Sequence, residues 1–299
     1  MPDKLLSQGS HSFTTAAGAT LTYFVRGGGP RTLVNVAPGW GCASVLYQNS
    51  FRFLEDVFTF VHLETRGTRG SSFPADLSQM SSWHMSEDID ALRAHLGLEA
   101  LDSLMGHSNG GSIATWYAIR FPTRVRKLVL VDTQAFGQQA QEVAGPATEA
   151  ILAARPERDC VAAYSPYDPA AMTTDEAFGA ALDAILPLYF AYPDKYLAYF
   201  KNEVFTNVPQ AKCVQNQWPA EDQHRDQVEQ LGGIRAETLV VVGREDFICP
   251  VPASELIVGR IPNAKLEIVE GSGHFPWIEQ ETSFESIMKD YSIQKPLWG

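Results

Sequence analysis

Short, almost unbroken apolar runs recur along the chain at TLVNVA (32–37), VFTFVHL (57–63), LDSLMG (101–106), KLVLVD (127–132), TLVVVG (238–243) and KLEIVE (265–270). Runs this rich in β-branched residues, separated by amphipathic stretches, predict parallel strands that helices bury on both faces. In SEDIDALRAHLG (86–97), Ile89, Leu92 and Leu96 share one helical face, while Glu87, Asp88 and Arg93 are expected to point to water. The start, SFTTAAGATLTYFVRGGGP (12–30), predicts two antiparallel strands with a turn over Gly27 to Pro30. Between about Phe136 and Gly233 the β-runs stop, and the sequence turns helix-like and aromatic, as in DAILPLYFAYPDKYLAYFKNEVF (183–205). The expected architecture is an open α/β sheet built from 1–135 and 234–299, with a helical insertion over 136–233. Ligands of open α/β sheets bind beyond the carboxyl ends of the strands, so an insertion after KLVLVD is expected to form a lid over the site.

Composition narrows the function classes. The 299 residues are 45% hydrophobic, enough for a large core, and the formal net charge of −12 argues against a general affinity for nucleic acid or an anionic membrane. Neither MPDKLLSQGSHS at the start nor any later run has the apolar length of a targeting or membrane-spanning segment, so a cytoplasmic protein is expected. Cys42, Cys160, Cys213 and Cys249 are far apart and form no CxxC pair, which suggests neither a metal site nor a disulfide framework. No phosphate-binding glycine motif opens a helix, and no cofactor is implied. A small-molecule substrate is the expected partner; oligomeric state is not legible.

The chemistry concentrates in DSLMGHSNGGSIATW (102–116). Glycine inside regular structure costs about 0.5–1 kcal/mol relative to alanine, so Gly106, Gly110 and Gly111 need a purpose. Gly106-His107-Ser108-Asn109-Gly110 matches G-x-S-x-G, a strand-to-helix turn that presents its serine as a nucleophile. Serine needs a base, and the base needs an acid to orient it. Of the seven histidines, His274 in EGSGHFPW (270–277) follows a strand run at the same sheet edge, whereas His62 and His95 fall inside elements and His11 near the terminus. Asp246 follows the strand TLVVVG and is the expected acid, with Asp132 at the end of KLVLVD as its competitor. A tetrahedral intermediate also needs oxyanion donors. The backbone amide of Asn109 supplies one, and the amide of Trp40 in APGWGCAS (37–44) is the expected second.

With these residues assembled, the chain resembles the α/β-hydrolase superfamily along nearly its full length, and within it the prolyl-iminopeptidase-like serine hydrolases. GHSNGG, LVLVDTQ, TLVVVGREDFICP and GSGHFPW carry the resemblance. It implies a mostly parallel eight-stranded sheet with helices on both faces, a helical cap, and acyl-enzyme hydrolysis with Ser108 as nucleophile, Asp246 as acid and His274 as base. Two segments depart from the pattern: APGWG stands where the peptidases usually have HGGPG, and ETRGTRGSS (64–72) has Arg69-Gly70 in reversed order. The leading expectation is hydrolysis of an ester, lactone or small amide. An aminopeptidase of prolyl-iminopeptidase type, a lyase or cyclase on the same residues, and a ligand sensor are the alternatives. Trp40, Leu188, Tyr189, Tyr192 and Phe275 are the candidate substrate-binding residues, and an apolar, uncharged substrate is expected. Aminopeptidase recognition would need a buried carboxylate for the substrate ammonium, for which Glu203, Glu221 and Asp222 are candidates in polar stretches.

Overall fold

The apolar runs assemble one eight-stranded sheet in the order β1-β2-β4-β3-β5-β6-β7-β8. The strands are β1 Gly9–Thr14, β2 Thr20–Gly27, β3 Arg31–Val36, β4 Phe58–Leu63, β5 Leu101–His107, β6 Val125–Val131, β7 Glu237–Gly243 and β8 Ala264–Val269. β2 pairs antiparallel with β1 and β4, and the pairs from β4 onward across the sheet are parallel. This computed structural model describes residues 2–165, 168, 171–224 and 226–293.

Burial on both faces explains why the strand runs are mostly apolar. Val34, Leu104, Leu128, Leu130 and Val240 enter the core on one face, and their neighbours Leu33, Met105, Val129, Val131, Leu239 and Val241 enter the core on the other. Helices α1 (Ser82–His95) and α2 (Asn109–Arg120) cover the first face, burying Ile89, Leu92, Ile113 and Tyr117. Between β6 and β7 come α3 (Gln138–Ala154), α4 (Asp175–Ile185) and α5 (Ala211–Glu221), with shorter helices and no strand among the described residues. α6 (Val251–Arg260) follows β7, and α7 (Glu281–Ile293) closes the second face through Phe284, Met288 and Tyr291. One position on α1 departs from expectation. Asp88 turns inward and is buried because Arg66 meets it in an ion pair at 2.6 Å.

The three elbow glycines are required by contact. A Cβ on Gly106 would overlap the Gly110 carbonyl, one on Gly110 the Ala37 carbonyl, and one on Gly111 the Thr133 hydroxyl. Strand β5, helix α2 and the loop after β3 thus meet backbone to backbone, at a separation that excludes a methyl group. Gly110→Ala is expected to lose about 1–3 kcal/mol or more in urea unfolding, through overpacking against backbone that cannot swing away. Gly259→Ala on α6, where an added Cβ meets nothing within 4 Å, is expected to be neutral or stabilising by up to about 1 kcal/mol.

Candidate active site

At the end of β5 the chain reverses into α2 through Ser108, whose backbone sits at φ 55° and ψ −127°. L-residues rarely adopt this region, at a cost of about 1–3 kcal/mol, and surrounding bonds must hold it. Ser108 N–H donates to the carbonyls of Val131 and Asp132 at 3.1 and 3.2 Å, and the Ser108 carbonyl accepts from Gly111 and Gln134 N–H at 3.1 and 3.0 Å. The side chain is thereby fixed at the edge of a cavity.

His274 lines the same cavity from the loop after β8. Its Nδ1 lies 2.8 Å from Asp246 Oδ2, so the ring donates to the carboxylate and its Nε2 is the nitrogen left to accept a proton. Asp246 Oδ1 accepts the Ile248 and Cys249 amides at 2.9 and 3.2 Å, which fixes the carboxylate plane. Cys249 Sγ lies within 4.8 Å of ligand atoms of both residues, but burial holds the thiol far above its usual range and leaves it as packing.

Asp132, at the end of β6, faces Asp246. It is fully buried, its Oδ1 accepts Gly243 N–H at 2.8 Å, and its carboxyl meets that of Asp246. Burial, then the neighbouring Asp246 charge, hold its carboxyl well above the usual carboxylate range. Asp246 contacts the imidazole, and Asp132 stands behind it. His107 has a different task. The His274 carbonyl can only accept, so His107 Nε2 donates to it at 3.0 Å and Nδ1 accepts from Tyr47 O–H at 3.1 Å. Burial pushes this ring far below the usual histidine range, and it supports the His274 loop as a neutral group. Glu279 clamps that loop from the other side, accepting from Gly273, Ala191 and Tyr192 N–H at 2.6, 3.2 and 2.9 Å.

On the other side of Ser108, four residues close a ring of hydrogen bonds. Trp40 Nε1 donates to Gln134 Oε1 at 3.1 Å, Asn109 Nδ2 donates to the same oxygen at 3.3 Å, Gln217 Nε2 donates to Asn109 Oδ1 at 2.6 Å, and Trp40 N–H donates to Gln217 Oε1 at 3.1 Å. The ring joins the loop after β3, the elbow, the segment after β6 and helix α5. Glu221 extends it, accepting from Ser82 N and Oγ at 2.7 and 2.6 Å and from Gln217 at 3.1 Å. Asn109 N–H lies in the first turn of α2, where amides have no intrahelical acceptor.

The cavity measures about 740 Å³, within the range of small-molecule sites, and aromatic and aliphatic groups dominate its wall. Trp40, Tyr189 and Phe275 line it together with Phe178, Phe200 and Trp218. Leu188 and Tyr192 do not. Leu188 packs beneath, with Ile185 and Phe247, and Tyr192 turns outward at 54% exposure because its backbone is drawn to Glu279. Glu203 and Asp222 are exposed, and Glu221 is buried in the polar network. The carboxylate among the described lining residues is Asp183, which pairs with Lys201 at 2.9 Å. Gln134, Gln217 and Glu279 escape a sequence reading, although a lone Glu279 closing the apolar HFPWIE is a detectable signal. Among the described residues no helix is long and apolar enough to cross a membrane.

Residues 32–281 match the family described as alpha/beta hydrolase fold. The chain is 28% identical over 279 residues to the proline iminopeptidase PfmaB of Pestalotiopsis fici, covering 90% of this chain and 94% of that protein. It is 30% identical over 234 residues to a 2-hydroxymuconate semialdehyde hydrolase of a Pseudomonas species, covering 74% and 71%. An alpha/beta fold family hydrolase from Bacillus anthracis superposes with a TM-score of 0.74 at 20% identity, covering 94% of this chain and 98% of that one.

The raised Asp132 carboxyl has a consequence for stability. An unfolded aspartate loses its proton near pH about 3.9, whereas the folded one keeps it to higher pH. The folded state then binds more protons, and its stability falls as pH rises from the unfolded value through the folded one. Asp132→Asn keeps a donor toward Asp246 and cannot ionise. Its melting temperature relative to wild type is expected to rise as pH increases above about 4 and to show no such rise below it. A difference independent of pH in thermal melts would show that Asp132 does not keep its proton.

Proposed function

Because the chain belongs to the alpha/beta hydrolase fold family, we propose that this enzyme is a serine hydrolase that cleaves an ester, lactone or small amide of an apolar, uncharged substrate. The observation that carries this reading is the convergence of Ser108 and the Asp246-bonded His274 on one largely apolar cavity. In the reaction, Ser108 Oγ attacks the substrate carbonyl carbon as His274 Nε2 takes the hydroxyl proton. The carbonyl π pair moves to oxygen, where Asn109 N–H stabilises it. Collapse expels the alcohol or amine, protonated by His274, and leaves an acyl group on Ser108. Water repeats the sequence and releases the acid. The helical segment 136–233 acts as the cap whose side chains close this space.

The cavity wall argues for a neutral acyl group. An ammonium held beside Ser108 would need a free carboxylate, because a buried unpaired charge is costly. Asp183 is already neutralised by Lys201. The similarity to a proline iminopeptidase makes prolyl amides the right comparison substrate.

A panel of p-nitrophenyl esters, lactones and prolyl amides is expected to give the highest kcat/KM with apolar esters or lactones. A fluorophosphonate adduct is expected on Ser108 in a tryptic digest, and Ser108→Ala is expected to cost about 10⁴–10⁶ in turnover with the fold intact. Efficient prolyl-amide cleavage would replace the substrate class, and an adduct elsewhere would replace the nucleophile.

The two aspartates separate in activity. Asp246→Asn is expected to lower kcat by about 10⁴, because His274 loses the acceptor that orients it. Asp132→Asn is expected to retain most of kcat in the same steady-state assay. The reverse ranking would make Asp132 the acid.

A further inference from the structure

Trp40 N–H, the amide that the sequence suggests as second oxyanion donor, is engaged. It donates to Gln217 Oε1 at 3.1 Å, and Gln217 is itself fully buried and fixed by its bonds to Asn109 and Glu221. A glutamine side chain lines the cavity from the segment that holds the elbow. Gln134 lines the cavity, and its own N–H donates to the Ser108 carbonyl at 3.0 Å, which ties the residue to the elbow. Its Oε1 accepts from two donors, Trp40 Nε1 and Asn109 Nδ2. Two N–H groups facing one amide end require that end to be the oxygen, since an NH₂ there would oppose both. The planar amide then carries its two remaining N–H hydrogens at the opposite corner.

Resting on the serine-hydrolase reading above, we infer that Gln134 Nε2 donates to the substrate's reacting carbonyl oxygen and is the second oxyanion donor, beside Asn109 N–H. As Ser108 Oγ bonds to the carbonyl carbon, the C=O π pair localises on oxygen and its negative charge is shared by these two donors. The charge returns to the carbon–oxygen bond when the leaving group departs, and Gln134 gains and loses no proton. The ring around its Oε1 gives this donor fixed aim before substrate arrives, which is the property that makes an oxyanion donor effective. Ligands that place a tetrahedral oxyanion on Ser108 are the class it selects.

Gln134→Glu tests the role without dismantling the ring. The glutamate keeps an acceptor oxygen for Trp40 Nε1 and Asn109 Nδ2 and replaces the NH₂ by a second oxygen. With p-nitrophenyl hexanoate, kcat is expected to fall by about 10²–10³. KM is expected to stay within about threefold, because the ground-state carbonyl gains little from an oxyanion donor. The rate of fluorophosphonate labelling at Ser108 is expected to fall with kcat, and the melting temperature to stay at the wild-type value. Should the charged variant fail to fold, Gln134→Met removes the donor together with the ring acceptor, and the loss is expected in kcat with KM still within about threefold, whereas ring damage alone would lower the melting temperature. Wild-type kcat in the folded variant, or a change confined to KM, would overturn the inference while the labelled, active wild-type enzyme leaves the serine-hydrolase reading standing. A wild-type protein that neither labels at Ser108 nor turns over would overturn both.

Discussion

Ser108 occupies a backbone conformation that an L-residue avoids, and the surrounding structure is arranged so that it has no other. Its N–H and C=O are both tied to the segment that leaves β6, and the chain on either side is pressed against neighbouring backbone at Gly106 and Gly110. The strain is small beside the burial of two sheet faces, so the fold can carry it. What it provides is a hydroxyl held at a cavity edge by the main chain.

The acid–base side is organised by charge that is mostly suppressed. Asp132 and His107 are buried titratable groups whose charged forms burial disfavours, and each supports a neighbour in the proposed chemistry: Asp132 stands behind Asp246, and His107 holds the carbonyl of His274. Glu279 accepts three amides and binds the His274 loop to the segment around Tyr192. Inside a low-dielectric interior the hydrogen bonds of such buried groups are strong enough to orient their neighbours around His274.

On the other side of Ser108 the organising groups are neutral amides. The ring through Trp40, Gln134, Asn109 and Gln217 draws members from four separate segments, one of them helix α5. Each bond contributes about 0.5–1.5 kcal/mol on its own, yet breaking one leaves a buried donor or acceptor open, which costs more. Seating of the helical segment and geometry at the nucleophile are therefore mechanically connected.

By itself the sequence determined the alternation of strands and helices, the place of the helical insertion, and the elbow around Ser108, because those signals are local: apolar period, turn glycines and a motif of five residues. It also put Asp246 and His274 after successive strands, where parallel order brings them to one sheet edge. It could not rank Asp246 against Asp132 by contact, since both end adjacent strands and only packing decides which carboxylate meets the imidazole and which is left behind it. Leu188 and Tyr192 share an aromatic stripe with Tyr189, but helix ends and the pull of Glu279 turn one into the core and the other to solvent. The ring was out of reach for the same reason. Gln217 lies 177 residues from Trp40 and 108 from Asn109, and a neutral glutamine has no local signature, so tertiary packing alone made it a partner of the loop and the elbow.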